Sequence, residues 1–201
     1  GDGSRPYEES DPVAPRTAYG RTKQEGERRV LASSPEATVV RTSWVFGPGR
    51  NFVEAIVRQA RLRKSGEASG PLRVVSDQRG SPTYAGDLAE GIIDLALRDQ
   101  PQEGDPDPDR AAQGPPAGLV HLSNSGEASW FEFAREILDR SGHAEIEVIP
   151  VSSDEFKRPA ARPAWSVLSC ERAAGFGIRL RPWREALGAY LEWRAVNGES
   201  R

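Results

Sequence analysis

The sequence predicts an α/β protein, and two observations carry that prediction. Segments of strand character alternate with segments of helical period along all 201 residues, and no internal repeat is visible. Hydrophobic residues make up 37% of the chain, enough for a packed core, while no apolar run approaches the length that spans a membrane.

The elements follow in order. Thr17 to Ala32 has helical period, with Tyr19, Lys23, Gly26 and Val30 on one stripe. Residues 37–42 (ATVVRT) form a short β-branched strand, broken by Gly47-Pro48-Gly49. Asn51 caps the next helix, whose apolar face is Phe52, Val53, Ile56, Val57 and Ala60. Leu72 to Val75 is a strand. Asp87 is the expected cap of a further helix, with Leu88, Ile92, Leu95 and Ala96 facing inward. Residues 98–117 hold five prolines and five acidic residues with no large apolar one, which predicts a disordered surface loop. Leu119 to Leu122 is a strand, and Ser129 with Glu132 forms a capping box. Trp130, Phe133, Ala134, Ile137 and Leu138 give that helix its buried face, and Gly142 closes it. Glu145 to Val151 is a strand. Pro182 opens the last helix, in which Trp183, Ala186, Leu187, Tyr190 and Leu191 are expected in the core.

Composition excludes several functions. The net charge is -3 with no basic block, which argues against nucleic-acid binding. One cysteine, Cys170, leaves no internal disulfide. With His121 and His143 far apart, no metal site is expected. The first residues are polar and carry no secretory signal, so a cytoplasmic protein is expected, without membrane contact. The chain lacks methionine even at position 1 and contains no Gly-rich strand-to-helix turn of the dinucleotide type. Both suit a fragment whose beginning lies elsewhere.

The chemistry centres on Tyr19-Gly20-Arg21-Thr22-Lys23. A tyrosine and a lysine four apart share one helix face. A free phenol titrates near about 10, and a nearby ammonium favours its phenolate, so the pair can act as general acid and base on an oxygen. The spacing arises by chance about 6% of the time on a simple count of these residue types, so alone it is suggestive.

The surrounding motifs say more. The run Arg5-Pro6-Tyr7-Glu8-Glu9-Ser10-Asp11, Pro15 and Tyr19 through Glu27 resembles the extended short-chain dehydrogenase/reductases, and within them the dTDP-4-dehydrorhamnose reductases. Arg41 through Gly47, Asn51-Phe52, Asp77 through Thr83 and Arg162 through Ser166 match segments of that family in order. The resemblance implies the C-terminal part of a Rossmann-like doubly wound parallel sheet plus a small α/β substrate-binding lobe. Residues 1–48 and 83–128 would belong to the Rossmann-like part, and 49–82 and 129–201 to the substrate lobe. It further implies reduction of dTDP-4-dehydro-6-deoxy-L-mannose to dTDP-L-rhamnose, with NADPH as cofactor and NADH as the alternative. Tyr19 would donate the proton and Lys23 would hold the nicotinamide ribose, so both touch cofactor. Trp44 would meet the sugar, with core packing as the competing role; Glu54 and Gln78 would lie nearby without an assigned part.

The family places a serine or threonine of its catalytic trio before the segment where this sequence begins, so the chain on its own is expected to be inactive. A homodimer is left open. Two rival functions remain: another nucleotide-sugar epimerase or dehydratase, and a non-catalytic reductase-like binding subunit. The first typically carries an asparagine where this chain has Thr42-Ser43-Trp44, and the second has no need of the Tyr19 and Lys23 pair.

Overall fold

The computed structural model describes residues 3–97, 116–156 and 162–197. The loop expected at 98–117 therefore lies outside the described residues except for Pro116 and Ala117 at its end. Helix α1 spans Ala18–Ser33 and is capped by Thr17, whose side chain accepts from Gly20 N. It leads into β1 (Thr38–Arg41) and β2 (Val45–Phe46). Helix α2 (Phe52–Lys64) follows, with Asn51 accepting from the amides of Val53 and Glu54 as expected. Strands β3 (Leu72–Val75), β4 (Arg79–Gly80) and β5 (Thr83–Tyr84) precede α3 (Ala85–Ala96). Strands β6 (Gly118–His121) and β7 (Ala128–Ser129) precede α4 (Trp130–Arg140). Strand β8 (Val148–Val151), a short 3-10 turn, α5 (Glu171–Gly175) and α6 (Trp183–Asn197) complete the order.

Strand pairing joins distant parts of the chain. β1 runs parallel to β6, β2 to β5 and β3 to β8, while β4 pairs antiparallel with β7. Two apolar cores result. The larger gathers α2, α4, α6 and β3 around Phe46, Phe133, Trp183 and Tyr190, each almost fully buried. Truncating Phe133 to alanine there removes about 3–5 kcal/mol. The smaller sets Leu95, Val120, Leu122, Ala173 and Ile178 between α3, β6 and α5.

The Ser129 and Glu132 box forms in full: Ser129 N donates to Glu132 Oε2 at 2.6 Å, and Glu132 N to Ser129 Oγ at 3.1 Å. The backbone amide of Ser129 holds the Glu132 carboxyl below its usual range. Gly142 follows α4 with φ +76°, a left-handed stop that glycine adopts without strain.

Helix α3 departs from expectation. Asp87 does not cap it; Tyr84 occupies that position with no side-chain cap, and Asp87 lies inside the first turn, buried. Ile92 and Ala96 face solvent, and the buried stripe is Asp87, Gly91 and Leu95, with Leu88 partly covered. Two causes turn the helix this way. Asp87 is paired inside by Arg181, and Gly91 leaves room for Leu122 and Leu180, whose methyl carbons would stand 2.9 Å from any Cβ there.

Helix α1 has no buried residue at all, and the stripe of Tyr19, Lys23, Gly26 and Val30 is exposed. It is tied to β1 instead by Arg41, which donates from Nε and Nη2 to Glu27 at 2.8 and 2.6 Å. Among the described residues, no helix is long and apolar enough to cross a membrane.

Candidate functional site

Tyr19 and Lys23 sit one turn apart near the start of α1. Tyr19 is 72% exposed, and Lys23 Nζ stands 5.6 Å from the centroid of its ring. The hydroxyl and the ammonium are thus both open to a ligand on one side of the helix. A nicotinamide ribose needs such accessible donors, so the two residues fit that group.

Trp44 sits in the turn between β1 and β2, where its carbonyl accepts from Thr83 N at 3.2 Å. Its φ is +44°, a left-handed backbone that costs a residue other than glycine about 1–3 kcal/mol. Strain of that size persists only where the surroundings hold it. Here the indole lies flat on Trp130, with ring centroids 3.5 Å apart and planes 7° from parallel. Trp44 also packs against the larger core. Trp44 is half-buried, so core packing is one role it has, and part of its surface stays open to a ligand.

Two hollows flank this stack. The smaller, about 410 Å³, is lined by Tyr7, Thr42, Ser43, Trp44, Trp165 and Ser166. Its wall joins the start of the chain to the segment ahead of α5: Trp165 Nε1 donates to Arg5 O at 2.8 Å, and Tyr7 N to Val167 O at 2.9 Å. The larger, about 1530 Å³, is bordered by Arg50, Phe52, Gln78, Trp130, Asp154 and Arg162, with Arg63 and Arg73 at its edge. Glu155 pairs with Arg73, and the remaining lining, with Arg50, Arg63 and Arg162 against the carboxylate of Asp154, still carries net positive charge that favours an anionic ligand. Phe52 and Trp130 meet at 4.6 Å and give the same hollow an aromatic wall.

Gln78 belongs to this larger hollow and is largely buried. Glu54 faces elsewhere. Its Oε1 accepts from Tyr190 Oη at 2.7 Å and Arg194 Nε at 2.6 Å, which binds α2 to α6. Burial works against the Glu54 charge, but these two donors outweigh it and hold the carboxyl below its usual range. Glu54 is thus a structural anchor. Trp130 reads locally as a core position, and no local pattern announces its stack with Trp44, because the two residues lie 86 positions apart.

The profile described as RmlD substrate binding domain matches residues 1–195. The chain belongs to that family. It is 42% identical over 97% of its length to the spore coat polysaccharide biosynthesis protein SpsK of Bacillus subtilis. It is 41% identical over 92% of its length to a dTDP-4-dehydrorhamnose reductase of Mycolicibacterium smegmatis. The chain spans 61% and 51% of those two relatives.

Among solved structures, a dTDP-4-dehydrorhamnose reductase from Clostridium acetobutylicum superposes with a TM-score of 0.80 at 33% identity, over 97% of this chain and 62% of that one. The enzyme of that name from Bacillus anthracis, solved in complex with NADP, gives 0.78 at 32% identity, over 96% and 61%. This RmlD-family chain has the expected α/β fold, shared with these Rossmann-like solved structures.

Proposed function

We propose that the protein works in a nucleotide-sugar 4-ketoreductase that converts dTDP-4-dehydro-6-deoxy-L-mannose to dTDP-L-rhamnose, the last step in making this activated sugar. The observation that carries the reading is the exposed Tyr19 phenol with the Lys23 ammonium beside its ring, in a chain of this family. NADPH, with NADH as the alternative, supplies the hydride when bound. The reductase names of the relatives and the NADP complex of one solved neighbour support that choice.

In this reading Tyr19 gives its phenolic proton to the oxygen at C4 of the sugar. Lys23 holds the nicotinamide ribose and balances the negative charge left on the phenol oxygen. Trp44 lays indole surface against the apolar C–H groups of the deoxysugar. The larger hollow takes the nucleotide, with Arg50 and Arg162 toward the diphosphate and Phe52 and Trp130 beside the base. Pairing of β1 with β6 and of β3 with β8 supports the proposed division, with 1–48 and 83–128 in the Rossmann-like part and 49–82 and 129–201 in the substrate lobe.

The test is turnover by the protein expressed from its whole open reading frame. Mass spectrometry should find dTDP-L-rhamnose formed from the 4-keto sugar, one per reduced nicotinamide consumed. Consumption of the keto sugar with no change in the nicotinamide would point instead to an epimerase or dehydratase. Binding without turnover would point to a binding subunit.

A further inference from the structure

We propose that Trp130 and Gly80 are positioning residues that together set the pose of Trp44. The proposal rests on the reading that Trp44 faces the sugar, and it supplies the means by which that indole is held. Trp44 is the one non-glycine residue with positive φ among the described residues. Tryptophan does not keep such a backbone by intrinsic preference, so its neighbours must impose it.

Two neighbours do. The Trp130 ring covers the indole in near-parallel contact. Gly80 presses against it from the chain opposite: a Cβ at that position would overlap Cε2 and Nε1 of Trp44, so only glycine leaves the space.

Both neighbours belong to one frame. In the β4 and β7 ladder, Gly80 pairs with Ala128 and Arg79 with Ser129, the cap of the helix that Trp130 begins. Arg79 Nε donates to Glu127 at 3.0 Å, and its Nη1 lies 3.2 Å from Glu132. The same strand reaches the wall of the smaller hollow, since Arg79 N donates to Ala164 O at 2.8 Å and Ser166 N to Arg79 O at 2.9 Å. Trp44 lines the smaller hollow and Trp130 the larger, so the stacked pair forms the partition between them. A ligand with its sugar on one side and its phosphates on the other would be aligned by one rigid stack.

The test uses the 201-residue chain and its Trp44→Leu, Trp130→Leu, Trp130→Phe and Gly80→Ala variants. Each is titrated by calorimetry with dTDP-L-rhamnose and with dTDP, and the ratio of the two affinities is the readout. Trp130→Leu and Gly80→Ala should each lower that ratio about five- to tenfold, close to the effect of Trp44→Leu. Trp130→Phe should restore most of it, because a ring still stacks. Gly80→Ala keeps both indoles, yet should lose the exciton-coupled circular dichroism of the pair.

If Trp44→Leu lowers the ratio while Trp130→Leu and Gly80→Ala do not, the positioning role is wrong and the sugar contact stands. If Trp44→Leu leaves the ratio unchanged, the sugar contact fails and the positioning role fails with it. Should Trp130→Leu unfold, Gly80→Ala decides the matter by the same ratio.

Discussion

Arg181 closes a two-pronged grip on Asp87, donating from Nε at 2.9 Å and from Nη2 at 2.5 Å. Asn124 adds a third donor at 2.7 Å and also donates to Arg181 O at 3.0 Å. The carboxylate is buried, and the guanidinium is partly open to water. This grip joins α3 to the segment ahead of α6 and turns the helix so that Ile92 faces out. Asp87→Asn should lower stability by about 2 kcal/mol, because it removes the charge and one acceptor from a buried site. Urea unfolding measures it; a loss under about 0.5 kcal/mol would assign the helix orientation to Gly91 instead.

His121 links stability to acid. The side chain is buried on β6, with Nδ1 3.1 Å from Tyr7 O, and its backbone amide donates to Glu9 at 2.7 Å. Burial pushes the imidazole below its ordinary value; Glu9 opposes that and Arg41 reinforces it. The folded protein therefore binds its proton less readily than the unfolded chain. The stability this group contributes is whole above the unfolded value of about 6.5 and is lost as pH falls toward the lower folded value. Denaturant midpoints should drop between about pH 7 and 5, and His121→Gln should flatten that slope. Equal slopes in both proteins would remove His121 as the cause.

Tyr190 should show the opposite dependence. Burial, then the hydrogen bond to Glu54, pushes its phenol up to about 12. Its contribution is complete below the unfolded value of about 10 and is lost as pH rises through the folded one. At neutral pH, Tyr190→Phe should cost about 1–2 kcal/mol in thermal or urea unfolding, since Glu54 keeps Arg194 as a partner. An unchanged midpoint would mean that Arg194 alone anchors α2 to α6.

Local signals in the sequence were the readable ones. Asn51 and the Ser129 and Glu132 box cap the helices they announce, and the stripe from Trp183 to Tyr190 is core. Such signals work because cap and helix are neighbours in the chain. Helix α3 misled because a charged residue at a helix start ordinarily caps, and only the partner at Arg181, 94 positions away, makes Asp87 a buried residue. At the candidate site, spacing singles out Tyr19 and Lys23, and the motif singles out Trp44. Neither signal reaches Trp130 and Gly80, because their importance arises from a stack and a space that only the folded ladder of β4 and β7 creates.

In the proposed reductase, Tyr19 is the proton donor. Wild type and Tyr19→Phe are compared in the protein expressed from its whole open reading frame, following NADPH oxidation with the 4-keto sugar and dTDP-L-rhamnose affinity in parallel. Turnover should fall about 100-fold or more, while sugar-nucleotide affinity stays within about twofold, because the variant removes only the hydroxyl. Undiminished turnover in Tyr19→Phe would rule Tyr19 out as the proton donor.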